Sequence, residues 1–318
     1  MDKPLDRLTL PLPIADWLAA LPEAPFTVTA ECGQSHGLSG VWQLQNAQSQ
    51  TVYLKAATRA DKGAQEVHAY ARWVRPAFGP QAPYVLAQSE NPRALLLSSL
   101  PGVCMESLNL SPAHKRAAWH EAGALLRRLH ALETGSWFGG VAQDGSLVGE
   151  TFTDAAQYLA RKIEEWCERG LRAGSLRSDE ATFARAVAPE WTAAMQDELP
   201  VPCHRDYTPR NWIAAPETGA FVGVIDFEHT RWDVRANDMS RPWTREFLEQ
   251  PDLADAFFDG YRGGPPDARL WAQIRAVRLL GCIGTTVWGL EHGDEKYSEE
   301  GRAGLRVLQA ETGRKENL

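Results

Sequence analysis

Short runs rich in hydrophobic residues, bounded by turns, occupy much of the first hundred positions of the chain. In the first run apolar and polar residues alternate, as expected for a half-buried strand. The predicted strands are residues 26–31, 41–45, 51–55, 84–88 and 93–98. A Gly/Ser-rich segment, residues 33–40, separates the first two strands, and residues 61–73 predict a helix after the third. The N-terminal part therefore predicts a sheet with an accompanying helix.

Apolar residues recur every three or four positions after residue 110, the spacing that buries one face of an α-helix. Ser111 followed by Pro112 is typical of a helix start. The apolar positions of this helix are Ala118, Ala122, Leu125, Leu129 and Leu132. Further helices are predicted after a capping signal at residues 151–154, over residues 179–198, and over residues 270–288. Gly281 and Gly284 in the last helix predict a close approach of a neighbouring helix.

One segment of the chain combines acidic and amide side chains at a spacing that suggests a catalytic site. Residues 203–211 contain H-x-D-x-x-x-x-N, and a short apolar strand then ends at Asp226. Asp206 can accept a proton from an attacking hydroxyl, while Asn211 and Asp226 offer the hard oxygen ligands that Mg²⁺ prefers. Strands over residues 211–214 and 220–226 would return Asp226 to the same place. The set is typical of phosphoryl transfer, although a plain hairpin with polar turn residues is the alternative interpretation.

Two features of the N-terminal part favour nucleotide binding. In the Gly/Ser-rich segment, glycine lets the backbone approach an anion closely and free N–H groups meet it, so Ser35, Gly37 and Ser39 are candidate phosphate contacts. Lys55 ends the third strand and Glu66 lies in the following helix. A strand lysine that holds phosphates and is oriented by a helix glutamate is the kinase arrangement. The alternative interpretations are a plain hairpin turn for the Gly/Ser-rich segment and solvent-exposed surface charges for Lys55 and Glu66.

Together these stretches resemble the aminoglycoside phosphotransferase and choline kinase family of small-molecule kinases. The resemblance spans about residue 26 to about residue 310, and its specificity lies in Lys55, Asp206, Asn211 and Asp226. It implies an α+β, bilobal protein-kinase-like fold with a small antiparallel β-sheet N-lobe and a larger helical C-lobe. The implied boundaries are residues 1–98 for the N-lobe, 99–102 for the hinge and 103–318 for the C-lobe.

The same resemblance implies roles for individual residues. Lys55 would position the α- and β-phosphates, Asn211 and Asp226 would hold Mg²⁺, and Asp206 would orient and deprotonate the acceptor. The backbone of the hinge, at Ser99 and Leu100, would hydrogen-bond the adenine edge.

Other implied roles surround the catalytic loop. His204 would hold the loop backbone, and Asp238 would hydrogen-bond the loop as a brace. Arg210 is a candidate for positive charge near the transferred phosphoryl group, and Glu228 for a second Mg²⁺. Relatives often have glycine where this chain has Arg205.

Composition narrows the class of protein. The 318 residues are 44% hydrophobic and 23% charged, which is ordinary for a globular protein with room for two lobes. The net charge of −8 argues against a nucleic-acid partner. Five scattered cysteines without a C-x-x-C pair favour reduced thiols, and neither a signal peptide nor a membrane span is recognised. We expect a cytoplasmic protein with no membrane partner; the sequence makes no prediction of oligomeric state.

The predicted function is a Mg²⁺-dependent kinase that transfers the γ-phosphoryl group of ATP or GTP to a hydroxyl of a small molecule. An aminoglycoside or another antibiotic is a candidate acceptor, and the acidic balance favours a cationic one. Glu291, Asp294 and Glu295 are candidates to face it. ATP and GTP stay open because Tyr53 lies on the strand face where relatives carry a smaller residue against the adenine.

Two other functions are weighed. A kinase-fold module that binds nucleotide without transfer is disfavoured because the catalytic and metal-binding residues are all present. A metal-dependent hydrolase would use His204, Asp206, Asp226 and His229, but the Gly/Ser segment and Lys55 would then have no role.

Overall fold

The computed structural model describes residues 10–33, 39–242 and 246–315. Its first five strands are β1 (Thr27–Glu31), β2 (Ser39–Gln45), β3 (Thr51–Ala57), β4 (Val85–Glu90) and β5 (Arg93–Ser98). They form one antiparallel sheet in the order β1-β2-β3-β5-β4. The register pairs Lys55 with Val41 and Leu95, so Lys55 lies on the central strand of the sheet.

Helices cover both faces of this sheet. Helix α1 (Leu12–Ala19) packs Ile14 and Leu18 against Leu54 and its neighbours on one face. Because side chains alternate along a strand, Lys55 points to the opposite face, where α2 (Ala60–Ala69) lies. Helix α2 continues through a π-helical segment, residues 70–74, into α3 (Arg75–Phe78). The helix predicted over residues 61–73 is thus present and longer than expected.

The rest of the chain is mainly helical, with short strands that carry the candidate loops. The strands are β6 (Val103–Cys104), β7 (Phe138–Val141), β8 (Leu147–Phe152), β9 (Val201–Cys203), β10 (Trp212–Ala214), β11 (Phe221–Val224) and β12 (Arg231–Asp233). The helices are α4 (Pro112–His130), α5 (Ala155–Ala173), α6 (Ser178–Thr192), α7 (Asn237–Pro242), α8 (Pro251–Arg262), α9 (Ala268–Glu291) and α10 (Glu295–Lys315). Phe152, which lies within the predicted capping signal at residues 151–154, is the last residue of β8, and α5 begins three residues later.

Side-chain caps explain where several helices begin. Ser111 Oγ accepts a hydrogen bond from His114 N at the start of α4. Asp154 Oδ1 accepts one from Gln157 N at 2.7 Å before α5, and Asp267 caps α9 in the same way. Each cap satisfies a backbone N–H that has no partner inside the helix. Within the described ranges, none of the helices combines the length and apolar character needed to cross a membrane.

Helices α4 and α8 approach each other through two glycines. A Cβ on Gly123 would lie 2.1 Å from Phe257 O, and a Cβ on Gly260 would lie 2.0 Å from His120 O. The expected close approach at Gly281 and Gly284 is wrong: a Cβ on Gly281 meets nothing within 4 Å, and one on Gly284 has only ordinary contacts with Trp166. Periodicity places a glycine on a helix but does not show which helix packs against it.

Candidate active site

The loop between β9 and β10, residues 204–211, is fixed by Asp238 at the start of α7. Asp238 Oδ2 accepts a hydrogen bond from His204 N at 2.8 Å, and its Oδ1 accepts one from Arg205 N. His130 Nε2 contacts Asp238 Oδ2 at 3.0 Å, and His130 Nδ1 contacts Tyr261 Oη at 2.9 Å. The side chains of Asp238, His130 and Tyr261 are buried. One carboxylate therefore holds the start of the loop from both of its oxygens.

Arg205 occupies a backbone conformation that suits glycine. Its φ is +68°, in the left-handed region that costs other residues about 1–2 kcal/mol. Arg205 Nε lies 2.9 Å from Asp233 Oδ2, and Asp233 also contacts Arg231 and Tyr158. The ion pair and the bond from Arg205 N to Asp238 hold the residue in this backbone conformation.

The His204 ring serves the backbone. Its Nδ1 accepts a hydrogen bond from Asp206 N at 3.2 Å, so its Nε2 is the atom that donates to Ile225 O at 3.1 Å. The ring is fully buried. Both nitrogens are therefore engaged with main-chain groups and neither is available as a base or a metal ligand.

Asp206 lies at the centre of the loop with both carboxylate oxygens occupied. Asn211 Nδ2 donates to Asp206 O at 2.9 Å and to Asp206 Oδ2 at 3.0 Å. Arg241 Nη1, from α7, donates to Asp206 Oδ1. Burial acts to raise the pKa of Asp206, but Arg241 foremost, with His229, Arg210 and His204, holds that pKa below its usual range. Asp206 is an ionised carboxylate at neutral pH.

Aromatic packing anchors the same loop to the core. Tyr207 Oη donates to Ala122 O of α4 at 2.8 Å. The Trp212 ring lies 5.3 Å from the Tyr207 ring and 4.6 Å from the Trp119 ring of α4, measured between centroids. All three rings are fully buried. The loop is therefore held by contacts with α4 as well as by Asp238 of α7.

Asp226 follows β11 and returns to the loop from the hairpin. The φ of Asp226 is +70°, a conformation in which Asp is enriched among non-glycine residues. Its Oδ1 lies 2.5 Å from Lys55 Nζ, and a third of its side chain is exposed. Burial acts to raise the pKa of Asp226, but Lys55 outweighs it and the pKa is lowered. The carboxylate is thus ionised and open on one side.

Three carboxylates surround Lys55. Besides Asp226, Glu66 Oε1 lies 2.9 Å and Glu228 Oε2 lies 3.0 Å from Lys55 Nζ. Burial would lower the pKa of Lys55, but these acids raise it well above its usual value. Burial raises the pKa of Glu66 to about 7, although Lys55 opposes the shift. One ammonium group is therefore shared among three acids in a buried place.

The nucleotide candidates are placed unequally. Ser35 and Gly37 lie outside the described residues. Ser39 is buried and its Oγ donates to Glu228 Oε2 at 2.8 Å, so its hydroxyl faces the acids around Lys55. Ser99 is exposed and Leu100 half-buried, directly after β5. Gly102, with φ +155°, allows β6 to pair with β10, because a Cβ there would lie 2.5 Å from Ala214 O.

The sequence did not reveal several residues of this site. Gln65 Nε2 donates to Glu228 O at 2.7 Å, and Lys62 Nζ lies 3.4 Å from His229 Nδ1. Burial lowers the pKa of Lys62 to about 8, and burial with Lys62 lowers the pKa of His229 to about 3. Arg241 was also missed, although its position one helical turn after Asp238 places it on the same face of α7.

The donor set fits Mg²⁺. Asn211 directs its amide nitrogen at Asp206, which leaves its carbonyl oxygen as a ligand, and Asp226 adds an ionised carboxylate. In the described part of the chain, the potential ligand atoms of His130, Cys203 and Asp238 also lie within 4.8 Å of one another. We interpret that group as a buried hydrogen-bond cluster rather than a metal site, because both carboxylate oxygens of Asp238 accept hydrogen bonds from the loop backbone.

Comparison with known proteins identifies the family. The model of the phosphotransferase enzyme family APH matches residues 33–276. The chain belongs to this phosphotransferase enzyme family. The predicted resemblance and the predicted enzyme class, a phosphotransferase, are thereby confirmed. A comparison with curated protein sequences gives no match.

Solved structures show the fold of this phosphotransferase. The gentamicin complex of APH(2″)-IIa is similar with a TM-score of 0.65 and 17% identity, over 94% of this chain and 96% of that chain. A ternary complex of APH(4)-Ia with AMP-PNP and hygromycin B has a TM-score of 0.68 and 15% identity, over 89% and 94% of the two chains. Macrolide 2′-phosphotransferase type I is similar with a TM-score of 0.58 and 17% identity, over 89% of this chain and 91% of that chain. The predicted α+β, bilobal kinase-like fold is confirmed.

Proposed function

We propose that this phosphotransferase transfers the γ-phosphoryl group of ATP or GTP to a hydroxyl of a small molecule, with Mg²⁺ as cofactor. The observation that carries the proposal is the convergence of Lys55, Asp206, Asn211 and Asp226 from three separate parts of the chain. Acceptors named for structures of similar fold, gentamicin and hygromycin B, are small hydroxylated molecules and support this acceptor class. The AMP-PNP in one of them supports a nucleotide donor.

The proposed reaction joins the acceptor oxygen to the γ-phosphorus and breaks the bond from that phosphorus to the bridging oxygen of the β-phosphate. ADP or GDP leaves, and the hydroxyl proton passes to a carboxylate oxygen of Asp206. Lys55 would hold the α- and β-phosphates, with Glu66 keeping the ammonium in place. Most of the rate would come from positioning and charge neutralisation rather than from basicity, which suits an aspartate of lowered pKa.

Asn211 and Asp226 would hold Mg²⁺. Glu228, which contacts Lys55 beside Asp226, is the candidate to bind a second Mg²⁺. Bound Mg²⁺ supplies neutralisation of the charge that develops on the phosphates. Asp226 is also the shortest contact of Lys55, so an Asp226 engaged with the metal would leave Lys55 freer to contact the phosphates. Arg210 adds positive charge to the surroundings of Asp206.

The nucleotide would lie between an N-lobe of residues 1–98 and a C-lobe of residues 103–318. The hinge, residues 99–102, would present backbone groups of Ser99 and Leu100 to the base, and Ser35, Gly37 and Ser39 would cover the phosphates. The five cysteines are free thiols, which supports a cytoplasmic location.

The contacts of the two histidines disfavour the hydrolase alternative. His204 gives both ring nitrogens to the backbone, and His229 contacts Lys62 and Glu228. The binding-module alternative keeps all its residues and differs only in whether the phosphoryl group is transferred.

The experiment that tests the proposal follows nucleotide binding and turnover separately. A thermal-shift titration with ATP, GTP and Mg²⁺ reports binding, and ADP or GDP release with a panel of hydroxyl acceptors reports transfer. We expect Asp206→Asn to bind nucleotide like the wild type and to lose about 10²–10⁴-fold in acceptor-stimulated release. Asp252→Asn, on the surface at the start of α8, is the control. Full turnover in Asp206→Asn would remove the assigned base.

A further inference from the structure

A second pocket lies between α9, α10 and the segment before α8. Its volume is about 480 Å³, within the range of small-molecule sites, about 300–1,000 Å³. Its apolar wall is formed by Leu248, before α8, and by Ala268, Trp271 and Ala272 of α9. Leu248 is 44% exposed. The pocket thus offers an apolar surface for the body of a small molecule.

This pocket and the Asp206 site lie towards opposite ends of α10. Glu311, which lines the pocket, follows Tyr297 by about four helical turns, or about 21 Å along the helix. Tyr297 Oη accepts a hydrogen bond from Arg241, which also contacts Asp206. A molecule in this pocket therefore lies apart from the proposed transfer reaction.

A buried arginine lines this pocket with part of its hydrogen-bonding capacity unused. Arg278 of α9 is 3% exposed. Its Nη1 lies 3.3 Å from Glu311 Oε1, while its Nε and Nη2 have no hydrogen-bond partner in the described part of the chain. Buried charged donors without acceptors are unfavourable. Because one long contact holds the guanidinium group, its Nε–Nη2 edge can turn to an anion in the pocket.

Arg275 adds a second guanidinium group to the same pocket. It precedes Arg278 by three residues, so the two side chains share a face of α9. Arg275 Cζ lies 4.5 Å from the centroid of the Trp191 ring, and Arg275 Nε has no hydrogen-bond partner among the described residues. Glu190 Oε1 lies 4.0 Å from Arg275 Nη2, but 78% of the Glu190 side chain is exposed, so this ion pair is weak. Both arginines thus retain N–H groups for an anion.

The charged residues that line the pocket leave an excess of one positive charge. Arg275 and Arg278 are opposed by Glu311, the one acid among the described lining residues. The acids of the neighbouring segments do not line the pocket: Glu246, Glu249 and Asp267. Glu311 would repel a second negative charge on a ligand. The pocket therefore suits an anion that carries a single charge.

We propose that this pocket binds a monocarboxylate with an aromatic or aliphatic body. The carboxylate accepts hydrogen bonds from Arg278 and Arg275, since the planar guanidinium group matches a carboxylate in geometry. The body covers Leu248, Ala272 and the indole of Trp271, and removal of this apolar surface from water favours binding. This second site goes beyond the proposed kinase function and does not depend on it.

The test compares ligands of one shape and different charge by isothermal titration calorimetry on the full chain. The aromatic probes are 4-phenylbutyrate, 4-phenyl-1-butanol, 4-phenylbutylamine and 4-phenylbutyl phosphate. The aliphatic pair is octanoate and 1-octanol, and acetate is a carboxylate without a body. We expect at least one of the two larger carboxylates to bind about 10- to 100-fold more tightly than its alcohol, the size of a charge-assisted hydrogen bond. The amine, the dianionic phosphate and acetate are expected to bind more weakly than that carboxylate.

Two variants of opposite expected effect assign the binding to this pocket. Arg278→Met removes the charge, and its affinity for the carboxylate should fall to that for the alcohol. Glu311→Gln removes the acid that competes for Arg278 and should tighten carboxylate binding about two- to fivefold, the size of a partly exposed ion pair. Asp206→Asn should leave the affinity unchanged.

The surface control is Arg185→Met, since Arg185 forms a two-point pair with Glu164 away from the pocket lining. The melting temperature of each variant shows whether it is folded. If Arg278→Met does not fold, Glu311→Gln decides, because the Glu311 side chain is 38% exposed.

Each of the opposite results removes the proposal. It is overturned if neither larger carboxylate binds more tightly than its alcohol, or if the amine or the phosphate binds more tightly than the carboxylate. Wild-type affinity in folded Arg278→Met or in Glu311→Gln also overturns it. A changed affinity in Asp206→Asn would place the probe at the proposed transfer site and overturn it too. Nucleotide binding and turnover are measured separately, so none of these results decides the proposed kinase function.

Discussion

Lys55 Nζ and Asp226 Oδ1 lie 2.5 Å apart although 171 positions separate the two residues in the sequence. This contact joins the sheet of the first lobe to the hairpin of the second. It also couples the candidate phosphate-binding lysine to the candidate metal-binding aspartate. A cation that drew Asp226 away would leave Lys55 with Glu66 and Glu228 as its ion-pair partners.

Removing the charge of Lys55 is expected to destabilise the fold as well as abolish transfer. Lys55→Met leaves Glu66, Asp226 and Glu228 without their shared cation, and breaking a buried pair in this way costs about 3–5 kcal/mol. Lys55→Arg keeps the charge but not the compact ammonium, so we expect near-normal stability and strongly reduced turnover. Urea unfolding and nucleotide-release assays on both variants check this. Equal stability of Lys55→Met and the wild type would contradict the shared-cation description.

Glu66 is expected to make stability depend on pH near neutrality. Its folded pKa of about 7 lies above the ordinary value of 4.5, so the native state binds its proton more tightly than the unfolded chain. Its contribution to stability is therefore full below pH 4.5 and is lost as the pH rises through about 7. We expect the unfolding free energy of the wild type, relative to Glu66→Gln, to fall by about 1–3 kcal/mol between pH 5 and pH 8.

Glu133→Gln is the matched control for this pH experiment. Arg72 above all, with Trp73, lowers the pKa of Glu133, so its contribution is present above the unfolded pKa and is lost only as the pH falls towards acid. Between pH 5 and pH 8 the difference between Glu133→Gln and the wild type should stay nearly constant. A constant difference for Glu66→Gln as well would show that Glu66 does not titrate in this range.

Replacing Asp238 is expected to reduce both the stability of the protein and its kcat, because Asp238 holds the backbone of the loop that carries Asp206. Asp238→Ala leaves His204 N and Arg205 N without acceptors in a buried place, at about 1–3 kcal/mol for each lost partner. Asp238→Asn keeps one carbonyl oxygen and should lose less stability. Because the loop carries Asp206, we expect kcat to fall in both variants with little change in nucleotide Kd. Asp252→Ala, a surface acid at the start of α8, should leave both measurements unchanged.

A pair of glycine variants tests the packing of α4 on α8. Gly123→Ala places a methyl group against the backbone of Phe257, which cannot rotate away, and we expect a loss of more than about 2 kcal/mol in unfolding free energy. Gly281 lies in the middle of α9, and a Cβ there would contact no other atom within 4 Å. We expect Gly281→Ala to raise the unfolding free energy by about 0.5–1 kcal/mol, because alanine has the higher helix propensity. Thermal and urea unfolding of both variants measure the two signs. A stabilised Gly123→Ala would show that the helices can separate without cost.

Much of the fold followed from local patterns. The strands around Lys55 and the hairpin between Asn211 and Asp226 lie where period-two and turn signals predict them, because those signals act over a few residues. The helix after residue 60 was predicted, but its π-helical continuation was not, since nothing in the spacing distinguishes one extra residue in a turn. The cap at Asp154 was predicted and the strand at Phe152 was missed, because a strand depends on a partner.

The sequence by itself determined the strands around Lys55, the hairpin that follows Asn211, the family, and the spacing of Asp206, Asn211 and Asp226, since each depends on residues that are close along the chain. The tertiary structure decided which charges meet: three acids surround Lys55, and Arg241 contacts Asp206. It also placed the close helix contact at Gly123 and Gly260. These contacts depend on the relative placement of elements that are distant in sequence, and no local pattern contains that information.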